Sequence, residues 1–99
     1  MRKVTEEPYE IELDYAEEGY LSMMGRTVKE GRYPEEEGEA ALDEFTLRNL
    51  DILRKIGTTF TLDGETFTLC GIVSEQPSAL TQRMQVFVNP TLEIGRAHV

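Results

Sequence analysis

Tyr9, Ile11, Leu13 and Tyr15 alternate strictly with Glu10, Glu12 and Asp14. This period of two predicts a half-buried strand with one apolar and one acidic face. Pro8 limits its start, because proline lacks a ladder donor. Residues 17–30 fit two readings. Tyr20, Met24 and Val28 recur at i, i+4 and i+8, with Leu21 and Met23 beside them, which suits a short helix. Gly25 would weaken that helix by about 1 kcal/mol relative to alanine. The alternative is a hairpin returning from the first strand through residues 16–19, with Gly19 at positive φ.

Gly31-Arg32-Tyr33-Pro34 breaks the pattern and opens a loop. From Glu35 to Ile56 the spacing predicts one long helix. Leu42, Phe45, Leu53 and Ile56 form its apolar stripe, with Ala41, Asn49 and Ile52 on the same side. Glu35, Glu36, Glu37 and Glu39 crowd its first turns and Arg54 and Lys55 its last, an order that complements the helix macrodipole. Gly57 follows where a left-handed cap belongs.

Thr59–Leu62 and Glu65–Leu69 flank Asp63-Gly64, the strongest short-range hairpin signal. A two-residue turn pairs Phe60 with Phe67, Thr61 with Thr66 and Thr59 with Thr68, all favourable cross-strand pairs. The second strand runs on through Cys70, Gly71, Ile72 and Val73. Residues 75–78 form a loop, and residues 82–88 a last strand closed by Asn89-Pro90. The expected fold is α+β: a four-stranded, mostly antiparallel sheet in the order β-α-α-β-β-β, with the long helix packed on one face. Residues 1–93 are read as a single domain.

The last six residues, Ile94 to Val99, match one reading frame of a widely used short-read sequencing adapter. This tail is read as foreign to the natural protein, with community DNA as the source and a native C-terminus that is missing. His98, the sole histidine, lies within it. No basic, apolar, small-residue leader opens the chain, so no signal peptide is expected. No apolar run approaches the ~20 residues that span a bilayer.

Charge changes the picture more than composition does. The formal net charge is −9, and 15 of the 19 acids lie between residues 5 and 51 against four bases there. That field repels phosphate backbones and anionic lipid, so neither nucleic acid nor membrane is an expected partner. A basic protein surface is. The lone Cys70 excludes an internal disulfide and fits a reducing, cytoplasmic compartment.

Chemistry is searched for and not found. Cys70 sits mid-strand among apolar residues without a histidine beside it, where cysteine acts as a small hydrophobe. There is no CxxC, no HExxH, no calcium loop and no phosphate-cradling glycine motif. The expectation is a protein that is not an enzyme, with no catalytic residues, no cofactor and no metal site.

What remains is ordered charge. Glu10, Glu12 and Asp14 share one strand face, and Glu36, Glu39 and Asp43 one helix face. Such rows can imitate a phosphate backbone and occupy the nucleic-acid channel of a basic partner. In size and charge alone the chain resembles small acidic inhibitors of restriction and CRISPR nucleases. The function this implies is a cytoplasmic, protein-binding inhibitor of phage or mobile-element origin, acting against a defence nuclease. The alternative is a non-catalytic accessory or structural module, truncated and homo-oligomeric through Phe87, Val88 or the edge of the last strand.

Overall fold

The computed structural model describes residues 2–6, 9–15, 17–76 and 83–89. Seven strands and two short helices follow in order. They are β1 (Arg2–Glu6), β2 (Tyr9–Tyr15), α1 (Glu18–Met23), β3 (Val28–Gly31) and β4 (Glu39–Asp43). After them come α2 (Glu44–Asn49), β5 (Thr59–Leu62), β6 (Glu65–Val73) and β7 (Met84–Val88). The strands make one mixed sheet in the order β1-β2-β7-β4-β6-β3, with β5 also on β6. β5 and β3 share the outer edge of β6, one pairing with Glu65–Thr68 and the other with Gly71–Val73. The β2–β7 and β4–β6 pairs are parallel and the others antiparallel.

This corrects the expected fold. The molecule is mostly β, with a seven-stranded mixed sheet where a four-stranded antiparallel one was expected, and residues 35–56 are not one helix. The cause is burial on both faces. Ala40, Ala41, Leu42 and Asp43 have no exposed surface, because β4 lies in the middle of the sheet between β7 and β6. A strand covered on both sides carries a continuous apolar run, which periodicity cannot tell from a buried helix segment. Asp43 then caps α2, its carboxylate accepting the Thr46 N–H at 2.8 Å. The helix stops after six residues. Asp51 turns left-handed at φ 57°, the Ile52 N–H reaches back to the Leu47 carbonyl at 2.9 Å, and that of Asp51 to Arg48 at 3.2 Å. These two bonds close a Schellman motif. Leu53 and Ile56, expected on the apolar stripe, are left 66% and 41% exposed.

Residues 17–30 hold both a helix and a strand. α1 ends by the same device. The Arg26 N–H bonds the Leu21 carbonyl and the Gly25 N–H that of Ser22, with Gly25 at φ 73°. Gly25 is thus the helix stop and not a defect inside a helix. The 63–64 hairpin has the expected register, Phe60 facing Phe67, Thr61 facing Thr66 and Thr59 facing Thr68. The two phenylalanine rings stack at 5.7 Å.

The sheet separates two cores. Ile11, Leu13, Leu42, Leu69, Ile72, Val86 and Val88 pack on one face, covered by Leu47 of α2. Ala41, Val73 and Phe87 face the other way, covered by Leu21 of α1 and by Tyr33. A bulge in the β4–β6 pairing, where Ala40 faces Leu69 and Ala41 faces Gly71, puts Leu69 and Ile72 on the same side although they are three apart. Tyr9 and Phe60 line a common groove from β2 and β5, strands far apart in the sheet order, so the sheet is curled. β7, expected as the last strand of a mostly antiparallel sheet, is inserted between β2, to which it is parallel, and β4. Phe87 and Val88 are fully buried there and are not available for self-association.

Candidate functional site

The most organised polar cluster lies under α1. Arg26 directly follows the left-handed Gly25 and is turned inward, where it is 2% exposed. Its Nη2 donates to Asp43 Oδ2 and its Nη1 to Gln85 Oε1, each at 2.5 Å. Its Nε and Nη2 also donate to the Ser74 carbonyl at 3.2 and 3.0 Å. The guanidinium carbon stands 5.1 Å from the centre of the Phe87 ring, within cation–π range. One side chain therefore ties the α1–β3 connection to β4, to β7 and to Ser74, the residue that follows β6.

The network extends through Gln85. Since its amide oxygen is held by Arg26, its nitrogen points to β2, donating to Asp14 Oδ2 at 3.0 Å and reaching Glu12 Oε2 at 3.5 Å. Arg83 donates to Glu12 Oε1 at 2.8 Å. Burial is the first cause that raises the Asp14 carboxyl above its ordinary value, and the neighbouring Glu12 charge is the second. The Gln85 hydrogen bond opposes both. The Tyr33 hydroxyl is raised too, chiefly by burial and then by the charges of Asp14 and Glu18.

The predicted acidic rows are dispersed. Glu10 is exposed and pairs with Lys3 at 3.3 Å. Glu12 is 8% exposed and Asp14 half-buried, so the acidic face of β2 is largely covered. Glu36 is exposed in the loop before β4. Glu39 opens β4, where it binds the Arg32 guanidinium and accepts the N–H groups of Glu35 and Glu36 at 3.0 Å each. The Arg32 bond leads the causes that lower the Glu39 carboxyl to about 2. Asp43 is wholly buried. The structure brings together Glu12, Asp14 and Asp43, through Gln85 and Arg26, and not the six as rows.

Sequence reasoning missed Arg26 and Gln85. Gln85 did carry a signal, since it alternates with Met84, Val86 and Val88 in an otherwise apolar strand. Arg26 carried none beyond its place after a helix-ending glycine. Cys70 is a free, buried thiol whose Sγ lies 3.4 Å from the Arg32 carbonyl, and burial above all pushes it up to about 11. Among the described residues no three His, Cys, Asp or Glu side chains gather as a metal site, and no helix is long and apolar enough to cross a membrane. His98 and the whole of residues 94–99 lie outside the described residues.

Open grooves mark the surface formed by the described residues. One of about 470 Å³ runs between Asn49–Leu53 and Thr58–Leu62, with Tyr9 at its end. Another, about 580 Å³, lies between the start of α1 and the β3–β4 loop, with Glu17, Glu18, Arg32, Tyr33 and Glu35 among its walls.

No family model and no curated protein matches the sequence. Solved structures do match the fold. A domain of a protein assigned as a permease, from Porphyromonas gingivalis, is similar with a TM-score of 0.66 at 17% identity, over 91% of this chain and 46% of that one. The periplasmic region of MacB from Actinobacillus actinomycetemcomitans is similar with a TM-score of 0.61, also at 17% identity, over 92% of this chain and 42% of that one. The chain thus spans less than half the length of either. These neighbours overturn the expectation drawn from charge. The fold is one found in a permease domain and in a periplasmic region, which points away from a cytoplasmic phage or mobile-element inhibitor of defence nucleases.

Proposed function

We propose that this chain is a non-catalytic domain of a membrane transport protein, displayed on the outer side of the membrane. The observation that carries this reading is the coverage of the fold likeness. The neighbours' fold accounts for 91% of this chain, while this chain accounts for 46% of the permease domain. That asymmetry suits one module cut from a larger extramembrane region. The polar chemistry supports a structural module as well. Arg26 and Asp43 hold strands and helices together, and the Cys70 thiol is buried and pushed away from reactivity.

Recovering the flanking DNA by long-read sequencing of the source tests the proposal. The expected result is a reading frame that continues past position 93 into a different sequence and includes at least one apolar segment of about 20 residues. Stop codons that bound the domain, with phage genes on both sides, would overturn it.

A further inference from the structure

The outer face of α1 carries two large apolar side chains that nothing described covers, Tyr20 at 50% and Met23 at 82% exposure. They stand three residues apart, so they are neighbours on one helix face, and Glu17 continues that row. Leu21 alone anchors the opposite face in the core. Below this face opens the second groove, whose rim bears Glu17, Glu18 and Glu35. Arg32 is the sole cation among its lining residues, and it is already held by Glu39 and by Glu35 at 3.7 Å. Glu17 and Glu18 are exposed, with no cation partner among the described residues.

An aromatic and a thioether beside two carboxylates that no described cation pairs, Glu17 and Glu18, fit one occupant chemically. We infer that the α1 face formed by Tyr20, Met23, Glu17 and Glu18 docks a partner protein whose matching surface sets lysine or arginine around an apolar patch. Tyr20 offers its ring to a cation, Met23 adapts to an irregular apolar contact, and the carboxylates neutralise the charges around them. The other exposed apolar cluster, Leu53 and Ile56, has no such complement. Its neighbour Arg54 is already bound by Glu30 and Glu44, and the exposed charge between the two apolar residues is a cation, Lys55, with no carboxylate ring around it. A second copy would set these carboxylates against each other, and an anionic bilayer would be repelled. The docking face follows from the chain's own residues and stands whether or not the chain belongs to a transport protein.

The test is titration of the ¹⁵N-labelled 99-residue chain with a synthetic amphipathic leucine–lysine peptide, using its leucine–glutamate counterpart as control. Amide shifts confined to residues 17–24 and 31–36, saturable with the lysine peptide only, are expected. Tyr20→Ser or Met23→Ser is expected to weaken binding about fivefold or more, as for an anchor side chain. Glu17→Gln with Glu18→Gln is expected to weaken it by about two- to fivefold and flatten its salt dependence. All four positions are exposed, so folding is preserved and amide spectra verify it. Equal weakening by Leu53→Ser, shifts spread over the whole acidic surface, or a dimer in sedimentation that Tyr20→Ser dissociates would each overturn the inference.

Discussion

The Arg26 guanidinium and the Asp43 carboxylate meet at 2.5 Å with 2% and 0% of their side chains exposed. Each is bound on its other sides as well. Arg26 holds Gln85 and the Ser74 carbonyl, and Asp43 caps α2 through the Thr46 N–H. Such a pair contributes little relative to a well-packed apolar one, yet removing one member leaves a buried charge without its counter-charge. Arg26→Met is therefore expected to cost about 3–5 kcal/mol in urea unfolding. That is a large share of the ~5–15 kcal/mol typical of a domain. Arg26→Met combined with Asp43→Asn, which keeps a capping oxygen and removes the stranded charge, is expected to recover part of the loss. A single variant within about 1 kcal/mol of the parent would refute this account of the network.

Asp14 sets a pH dependence of unusual sign. In the folded protein its carboxyl is raised above the ordinary value of 3.8 by burial first and by the Glu12 charge second. The folded state therefore binds the proton more tightly than the unfolded chain. The stability linked to that proton is fully present below the unfolded value and is lost as pH rises through the folded one. Asn at this position keeps an acceptor for the Gln85 amide and never ionises. Asp14→Asn is expected to raise Tm at pH 7 and to leave it unchanged at pH 3, in thermal melts followed by circular dichroism. An equal shift at both pH values would show that the ionised carboxylate is not the cause.

What could be read from the sequence was local. The 63–64 hairpin depends on neighbours within a few residues and has the expected pairs, while β2 is a strand over the expected residues whose burial does not alternate, because Glu12 is covered as well as Ile11 and Leu13. The parallel pairs β2–β7 and β4–β6 join segments tens of residues apart, and no local period announces them. β4 misled for a physical reason. Its Ala40-Ala41-Leu42 run is apolar on both faces, and the glutamates before it imitate the start of a helix. Along the chain, Glu39 and Asp43 stand as free charges with no cation at helical spacing to pair them. Asp43 is instead neutralised by Arg26 and Glu39 by Arg32, pairings that only the folded sheet creates.

Gly31 and Gly71 mark where the chain leaving β3 crosses β6. The Arg32 N–H donates to the Cys70 carbonyl at 2.9 Å across this contact. A Cβ added at Gly31 would stand 2.2 Å from the Cys70 carbonyl oxygen, and one at Gly71 would stand 2.2 Å from that of Arg32. Both obstacles are backbone and cannot swing aside, and Gly31 also has φ +70°. Alanine at either position is expected to destabilise by at least about 1–3 kcal/mol, the range for overpacking. Gly19 meets nothing within 4 Å and lies in α1. Gly19→Ala is expected to stabilise by about 0.4–1 kcal/mol. Chemical denaturation of the three variants separates crowding from helix propensity, and equal effects at Gly19 and Gly71 would contradict the crossing geometry.

Asp51 offers a gain in stability at the turn that ends α2. Its φ of 57° is left-handed, a region that disfavours an L side chain, although aspartate tolerates it better than most. The motif it closes, Ile52 N–H to Leu47 carbonyl and Asp51 N–H to Arg48 carbonyl, uses only backbone and survives loss of the side chain. Glycine is the usual residue at this position of a Schellman motif. Asp51 is exposed, so no buried contact is lost with it. Its charge also lies at the C-terminal end of the helix, where a negative group is unfavourable. Relief of backbone strain and of that charge together outweigh the extra chain entropy of glycine. Asp51→Gly is expected to stabilise by about 0.5–1 kcal/mol. Asp51→Asn, which removes only the charge, is expected to give about 0.3 kcal/mol or slightly more, and less of it in high salt. Guanidinium and urea unfolding of both variants measures the two contributions separately. If Asp51→Gly is less stable than the parent in both denaturants, α2 does not end at Asn49 by this turn.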